Sequence, residues 1–224
     1  MEEGIKVSSQ KAAQIEENTR LQARSSQWQS EREWRLTASH FGEIVKVTDQ
    51  RDMEIFCESM YFPKDLLRVP AIRHGRTYEG TALQKFAEVT GKKVLKSGFC
   101  VDPQYPFLGA SPDAFIEGED AVVEVKCPYA GRKSKISPGK HFSMLERVDG
   151  RVQLKRNNNY FFQIMGQMKL SRKTHGYFVV YTHKDLYYEK IEFDDVFFMN
   201  QMLPKLQEFY NEVYCPYIAS VLKK

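Results

Sequence analysis

Cysteine is scarce in this sequence, and the cysteines present are not arranged in pairs. Four of them, Cys57, Cys100, Cys127 and Cys215, lie far apart among 224 residues, and no two are spaced as Cys-x-x-Cys. Structural zinc sites are usually built from such pairs, so the sequence predicts none. Reduced thiols in an intracellular protein are the simpler interpretation, and a disulfide stays open as the alternative.

Long apolar runs are absent as well. No stretch reaches the length needed to cross a bilayer, and the N-terminus carries no secretory signal, so the sequence predicts no membrane association. Hydrophobic residues still make up 42% and aromatic residues 13% of the chain, which excludes a disordered protein. No internal repeat, low-complexity tract or linker divides the chain. We therefore expect one domain over 1–224, with an N-terminal tail and helix over 1–27 and a core over 28–215.

The chain also has little excess charge of either sign. Its net charge is only +4, which by itself is a weak indication of nucleic-acid binding. The charge is unevenly placed, however, because residues 131–156 carry eight basic and two acidic residues, a net charge of +6. Such a segment suits a polyanionic partner, with a solvated basic loop as the alternative. Its basic residues are Arg132, Lys133, Lys135, Lys140, Arg147, Arg151, Lys155 and Arg156.

The order of the predicted elements indicates an α/β fold. Helical patterns with their capping residues predict helices over 10–24, 26–35, 37–47, 52–61, 72–90 and 160–170, after a frayed tail at 1–9. Runs rich in β-branched and aromatic residues predict strands over 93–100, 176–182 and 187–193, besides a hairpin within 108–128. Asp194 is expected to cap a C-terminal helix that bends near Pro204. The sequence therefore predicts a mixed β-sheet flanked by helices.

The predicted hairpin carries the pattern with the clearest chemical meaning. Asp113 stands at the head of its first strand, and the β-branched run Val122–Lys126 forms the second. Side chains alternate along a strand, so Glu124 and Lys126 share one face. Folding back at the turn brings Asp113 near Glu124. Two carboxylates and a lysine are thus expected to converge.

This combination suits cleavage of a phosphodiester. Carboxylate oxygens are ligands for Mg²⁺ or Mn²⁺, and Mg²⁺ usually takes only one or two of them, with water and phosphate completing its shell. A metal-bound water loses its proton more easily. Lys126 can position or deprotonate that water and help neutralise the phosphate. A surface hairpin with ordinary charges is the alternative, but Glu124 and Lys126 lie in an apolar run, where unpaired charge is costly.

Five motifs follow one another along the chain: Trp34-Arg-Leu-Thr-Ala-Ser39, His74-Gly-Arg-Thr-Tyr-Glu79, Gly109-Ala-Ser-Pro-Asp113, Glu124-Val-Lys-Cys-Pro128 and Tyr160-Phe-Phe-Gln-Ile-Met-Gly-Gln-Met168. In this order they resemble the YqaJ-like, lambda-type exonucleases of the PD-(D/E)XK nuclease superfamily. The resemblance covers roughly residues 28–215 and implies a restriction-endonuclease-like core. It implies a nuclease that uses two Mg²⁺ ions, with Mn²⁺ as a substitute, to degrade one strand of duplex DNA from a 5′ end.

The resemblance implies a role for each residue of the active site. Asp113 and Glu124 become the principal metal ligands, and the Val125 carbonyl adds a further one. Glu79 becomes the helix carboxylate that binds or orients the second metal, with a solvated helix residue as the alternative. Lys126 becomes the catalytic lysine.

Further residues are implied to contact the lysine and the DNA end. Gln163 matches the glutamine that contacts the active-site lysine or the water network; its alternative role is to satisfy a backbone group in the core. Ser39 and Arg32 fall where the family holds the 5′ phosphate, and Arg35 is the alternative arginine. Ser39 as a simple helix cap and Arg32 as a simple surface charge stay open.

The resemblance also implies partners. Lambda-type relatives form a trimeric ring that threads DNA and work with a single-strand annealing protein, so a homotrimer and such a protein are implied besides duplex DNA with a free 5′ end. The process is recombination or genome processing, in the nucleus if the source is a eukaryote or a eukaryotic virus. The alternatives are an endonuclease or RNase with the same core, as among viral alkaline nucleases, and a DNA-end-binding module with a decayed site. Intact Asp113, Glu124 and Lys126 argue against decay.

Overall fold

A mixed β-sheet lies at the centre of the fold. A computed structural model describes residues 5–62 and 68–223 of the chain. The strands are β1 (Leu36–Thr37), β2 (Val94–Leu95), β3 (Leu108–Gly109), β4 (Ala114–Ile116), β5 (Ala121–Lys126), β6 (Leu145–Val148), β7 (Arg151–Leu154), β8 (His175–Tyr181) and β9 (Leu186–Glu192). The central sheet has the order β2-β4-β5-β8-β9, and two further pairs are β1-β3 and β6-β7. In the central sheet β5 and β8 are parallel, and the other pairs are antiparallel.

Helices cover both faces of this sheet. They are α1 (Ser9–Asn18), α2 (Ser26–Glu33), α3 (Ala38–Val45), α4 (Met53–Tyr61), α5 (Pro70–Thr90) and α6 (Asn159–Ser171), followed by a C-terminal helix with the α-helical parts α7 (Asp195–Phe197), α8 (Leu203–Phe209) and α9 (Cys215–Val221). The predicted mixed sheet flanked by helices is thereby confirmed. No described helix is long and apolar enough to cross a membrane. All four cysteines have free thiols.

Alternation along β5 decides which helix each of its residues meets. Val123 and Val125 pack with Ala82 and Phe86 of α5. Val122 points to the opposite face and joins the core that contains α6. Glu124, two residues from Val122, therefore faces α6, a helix that is buried along most of its length. The sheet thus directs the charged face of β5 at a buried helix.

The structure differs from the predictions made from the sequence in four places. Ile5, predicted to lie in a frayed tail, is buried and accepts a hydrogen bond from Arg35, while residues 1–4 of that tail lie outside the described part. The helix predicted over 10–24 ends at Asn18, with a short 3₁₀ turn over Gln22–Arg24. The strand predicted over 93–100 is reduced to β2, since Cys100 pairs separately with Ala110.

The fourth correction is the β6-β7 hairpin, which the sequence analysis missed. Its turn is Asp149-Gly150, and both residues have positive φ, 49° and 78°. An Asp-Gly pair in this conformation is a common two-residue hairpin turn, so a signal was present. The base of the hairpin is fixed by the buried pair Leu145 and Leu154.

The C-terminal helix begins after Asp194 as predicted, and it contains π-helical turns that the sequence did not predict. The Asp194 carboxylate accepts a hydrogen bond from the Phe197 backbone, which caps the helix start. Two π-helical turns, Phe198–Met202 and Tyr210–Tyr214, each precede a segment that carries a proline near its start. A proline lacks an N–H and obstructs the turn before it, which accounts for the local widening of the helix.

Candidate active site

The β4-β5 hairpin places Asp113 opposite the middle of β5. The Asp113 backbone N–H donates to the Val123 carbonyl at 3.0 Å. Its carboxylate accepts a hydrogen bond of 2.6 Å from the Val125 backbone N–H. The antiparallel register, in which Ala114 pairs with Val123, makes both contacts possible. Asp113 therefore lies at the head of β4 and is hydrogen-bonded to β5 on both sides of Glu124, the position that the hairpin pattern predicted.

Glu124 is a buried carboxylate with a full set of partners. Only 3% of its surface is exposed. Its Oε1 accepts a hydrogen bond from Gln163 Nε2 at 2.8 Å and lies 2.6 Å from Lys126 Nζ. Its Oε2 accepts one from Gln167 Nε2 at 2.6 Å. A buried charge without such partners would be unstable, so the three donors explain how the protein holds a carboxylate there.

Gln163 connects the acid and the lysine. Its side-chain carbonyl accepts a hydrogen bond of 3.1 Å from Lys126 Nζ, while its amide group donates to Glu124. Only this orientation of the amide satisfies both neighbours. The Lys126 ammonium also lies 4.3 Å from the ring centre of Tyr160. The implied contact between Gln163 and the lysine is present in the structure, whereas its role in cleavage stays a prediction.

Gln167 is a member of the site that the sequence analysis did not assign. It is 1% exposed, and besides Glu124 it donates a 3.4 Å hydrogen bond to the Ser111 carbonyl. The signal was available, because Gln163 and Gln167 are four residues apart and so share one face of α6. Both glutamines thus orient one carboxylate from the same helix face.

Replacement of Gln167 by leucine should therefore disturb Glu124 while keeping the core apolar. We expect roughly 10- to 100-fold lower cleavage activity, because partners that orient ligands have effects of about this size. The measurement is the initial rate of duplex digestion at several Mg²⁺ concentrations. Gln84→Leu, on the exposed side of α5, is the matched control. Unchanged activity in Gln167→Leu would remove its assigned role.

The carboxyl groups of the site influence one another. Burial raises the pKa of Glu79, and the nearby Glu124 carboxylate raises it further. Burial likewise raises the pKa of Asp113 well above its usual value, with Glu124 and Glu79 adding to the effect. For Lys126, burial opposes the charge, but Glu124 and Asp113 outweigh it, so its pKa is raised. Three mutually repelling acids around one lysine form a site that additional positive charge would stabilise.

An open cleft of about 940 Å³ gives access to this site. Glu79 from α5 and Val125 and Lys126 from β5 line it. Three cations from separate elements complete its walls: Lys46 after α3, Arg76 on α5 and Lys155 after β7. A cleft with cations around a carboxylate centre suits a ligand that carries several negative charges.

Among the described residues, side chains alone do not form a complete Mg²⁺ site. Within residues 5–62 and 68–223, no three His, Cys, Asp or Glu side chains are gathered closely enough to hold a metal by themselves. Asp113 and Glu124 lie on one hairpin, and Glu79 of α5 is close enough to interact electrostatically with both. Mg²⁺ needs only one or two carboxylates together with water and phosphate. The hard oxygen donors and their raised pKa values therefore fit a divalent cation.

Two of the three residues predicted to hold a 5′ phosphate, Arg32 and Arg35, line a second cavity of about 560 Å³. Arg32 lines this cavity, stacks on Trp28 at 4.2 Å and has no ion-pair partner among the described residues. Burial lowers the pKa of Arg32 to about 10, so it remains charged at neutral pH. Arg76 lines both the second cavity and the cleft, which makes the two neighbours.

Arg35 and Ser39 are placed differently from Arg32. Arg35 is 4% exposed, and its guanidinium donates to the Pro106 carbonyl at 2.9 Å and to the Glu31 carboxylate at 2.5 Å. Arg35 lines the same cavity as Arg32, but these partners already engage its guanidinium, so the choice between the two arginines stays a prediction. Ser39 is exposed, and Thr37 rather than Ser39 occupies the cap position of α3. The Ser39 hydroxyl lies 3.1 Å from that of Thr37, which lines the second cavity.

The mixed sheet flanked by helices is consistent with a restriction-endonuclease-like core. Residues 27–174 match the YqaJ-like viral recombinase domain. That match covers more than half of the chain, which therefore belongs to this family. The comparison with curated proteins found no match.

Solved structures support the same fold. The alkaline exonuclease LHK-Exo from Laribacter hongkongensis is 20% identical, with a TM-score of 0.65 over 89% of this chain and 97% of that one. The shutoff and exonuclease protein of Kaposi's sarcoma-associated herpesvirus is 13% identical, with a TM-score of 0.60 over 91% and 73%. A phage-related exonuclease from Haemophilus somnus is 12% identical, with a TM-score of 0.57 over 84% and 96%. Together with the family match, these neighbours support a nuclease that acts on DNA.

Proposed function

We propose that this protein is a Mg²⁺-dependent DNA exonuclease that hydrolyses linear duplex DNA from the 5′ end, in recombination or genome processing. One observation carries the proposal: two glutamines and Lys126 hold the buried Glu124 carboxylate on the same hairpin as Asp113, and Lys126 lines a cleft with cationic walls. The family match and the alkaline exonucleases of the same fold support it.

The metal would be held by residues of the hairpin and of α5. Asp113, Glu124 and the Val125 carbonyl would hold one ion, and Glu79 would hold or orient a second. Mg²⁺, or Mn²⁺ in its place, supplies an acidified water and offsets the charge of the phosphate when bound. Gln163 and Gln167 donate hydrogen bonds to the Glu124 carboxylate and so fix its orientation.

Lys126 contributes charge and a hydrogen-bond donor at the reacting phosphate. Its pKa is raised, so the ammonium form is favoured at neutral pH. In that form it donates to a phosphate oxygen or to the attacking water, and it stabilises negative charge that increases during the reaction. Gln163 fixes the ammonium group from the side of α6.

The β6-β7 hairpin places basic residues beside the cleft, which suits a polyanionic substrate. His141 and Ser143 before β6 and Lys155 after β7 line the cleft, so both ends of the hairpin lie at its wall. Its base is anchored, because the Glu189 carboxylate accepts a 2.7 Å hydrogen bond from the Leu154 backbone. The exposed tip carries Arg147 and Arg151. These residues belong to the basic segment 131–156 and are suited to contacts with DNA phosphates outside the cleft.

The direction of digestion is tested with a linear duplex labelled at either end. Under the proposal, label at the 5′ end is released from the first turnovers, while label at the 3′ end stays in long fragments. Release of the 3′ label first would reverse the assigned polarity without removing the nuclease activity.

Recognition of the 5′ end is assigned to the second cavity. Arg32 has no ion-pair partner among the described residues and is suited to a terminal phosphate, with Ser39 nearby on α3. Arg32→Gln should reduce the preference for a 5′-phosphate over a 5′-hydroxyl end roughly tenfold. The rate ratio for the two substrates is the measurement, and Arg20→Gln, on the exposed pair with Glu16, is the control. An unaltered ratio would leave Arg32 as a stacking residue only.

The proposed partners rest on the family rather than on described contacts. A homotrimer and a single-strand annealing protein are the lambda-type arrangement, and nuclear localisation applies to a eukaryotic or eukaryotic-viral source. Light scattering of the purified protein tests the first of these; a mass of one chain at all concentrations and with DNA bound would contradict the trimer.

A second candidate function is an endonuclease or RNase of the same fold. The Kaposi's sarcoma-associated herpesvirus protein SOX has been solved in complex with DNA and with RNA, which keeps this candidate open. A non-catalytic DNA-end-binding module is the third, and it predicts no metal-dependent turnover. RNA cleaved faster than DNA of the same sequence would favour the second candidate.

A further inference from the structure

Tyr129 is an exposed aromatic residue in the same cleft as the proposed catalytic centre. It follows Lys126 by three residues, beyond the end of β5, and lines the cleft together with Glu79 and Lys126. It keeps 38% of its surface exposed. The chemistry assigned to the carboxylates and the lysine makes no use of it.

Unlike an ordinary surface tyrosine, Tyr129 is fixed in place. Arg132 donates a 2.6 Å hydrogen bond from Nη1 to the Tyr129 carbonyl. The same guanidinium stacks on the Tyr129 ring, 3.9 Å from its centre. The Arg132 carbonyl in turn accepts a 2.9 Å hydrogen bond from the His183 backbone. The turn that carries Tyr129 is thereby tied to the end of the central sheet.

The Tyr129 ring packs against a cluster of aromatic rings. His74 of α5, 8% exposed, meets the Tyr129 ring nearly edge-on, with ring centres 5.6 Å apart. His74 also contacts Tyr78 at 4.6 Å and His183 at 5.5 Å. Such a cluster restricts the ring before any ligand binds, so little conformational entropy remains to be lost when another ring stacks on it.

We propose that Tyr129 is a stacking platform for one unpaired nucleobase at the end of a DNA duplex bound in the cleft. This inference rests on the proposed function and adds a specificity-determining residue to it. Proteins that bind single-stranded nucleic acid combine cations along the backbone with aromatic rings under the bases. The cleft has both components, with Lys126, Arg76 and Lys155 for phosphates and Tyr129 for a base.

The platform predicts a preference for frayed or unpaired ends over fully paired ones. Every base has a flat aromatic face, so the preference should depend little on sequence. Loss of the ring should weaken binding of a duplex with one unpaired terminal nucleotide roughly tenfold. Binding of a fully paired blunt duplex should change less.

The test uses a short duplex that ends in a single unpaired 2-aminopurine, whose fluorescence is quenched by stacking. Binding is measured with the full chain in EDTA, so that cleavage does not interfere. We expect quenching by the wild type and Tyr129→Phe, and its loss in Tyr129→Ala and Tyr129→Leu. The leucine variant retains apolar packing, and thermal melting checks that each variant is folded.

Tyr188→Ala is the matched control, because Tyr188 on β9 is similarly exposed, at 42%, and does not line the cleft. Quenching by folded Tyr129→Leu at the wild-type level would overturn the platform, as would equal loss in Tyr188→Ala. The nuclease proposal fails separately, through absence of Mg²⁺-dependent digestion. Digestion without Tyr129-dependent quenching would contradict the platform alone.

Discussion

Lys126→Ala is expected to reduce digestion of linear duplex DNA by at least about 100-fold while leaving DNA binding largely intact. The side chain lies 2.6 Å from Glu124 and donates to Gln163, so its loss removes the ammonium group beside the proposed metal ligand. Binding is retained because Lys46, Arg76 and Lys155 still line the cleft. The measurements are the initial digestion rate with Mg²⁺ and the affinity for the same duplex in EDTA.

Two further variants make the result specific to Lys126. Lys126→Gln keeps a hydrogen-bond donor for Glu124 and separates loss of charge from loss of packing. Lys85→Ala removes an exposed lysine of α5 that pairs with Glu88, and its activity should equal that of the wild type. Digestion by Lys126→Ala at the wild-type rate would show that the lysine has no part in the reaction.

Asp113→Asn is expected to slow digestion by a similar factor. The cause is weaker binding of the metal and not the loss of a contact with the phosphate. It removes one of the two carboxylates on the β4-β5 hairpin, and we expect at least about 100-fold slower digestion at a fixed Mg²⁺ concentration. Calorimetric titration with Mg²⁺ should show correspondingly weaker binding. Chelation of the metal by EDTA should abolish digestion by the wild type.

The stability of the same variant separates chemistry from folding. Burial and the neighbouring acids raise the pKa of Asp113, so its charge is disfavoured in the metal-free folded protein. Asparagine is neutral and can still accept the hydrogen bond from Val125. The melting temperature without metal should therefore be unchanged or higher. Asp120→Asn, at the exposed turn of the same hairpin, is the control and should digest DNA normally.

The hairpin and its acids could be predicted because the relevant physics is local. Strand propensity and alternation are read directly from Val122–Lys126, and a short turn makes the return of Asp113 inevitable. The family resemblance added Gln163, whose contact with Lys126 the structure contains. Gln167 was overlooked, although its spacing from Gln163 already placed both on one helix face.

Other parts of the site depend on contacts between distant segments. Sequence spacing could not distinguish Arg32 from Arg35, because their difference lies in the partners that the fold supplies. Both arginines line the second cavity, but Arg35 donates to the carbonyl of Pro106, far along the chain, whereas Arg32 has no ion-pair partner among the described residues. The aromatic support of Tyr129 was hidden for the same reason, since His74 and His183 meet only in the folded protein.

The most direct test of the account is digestion of a closed circular duplex and its linearised form, side by side, with Mg²⁺. An exonuclease centred on Asp113, Glu124 and Lys126 should digest the 5′-phosphorylated linear form from its 5′ ends and leave the circle intact. Lys126→Ala should digest neither. Cleavage of the circle at a rate similar to that of the linear form would contradict the exonuclease assignment, and digestion by wild type in EDTA would contradict the metal site.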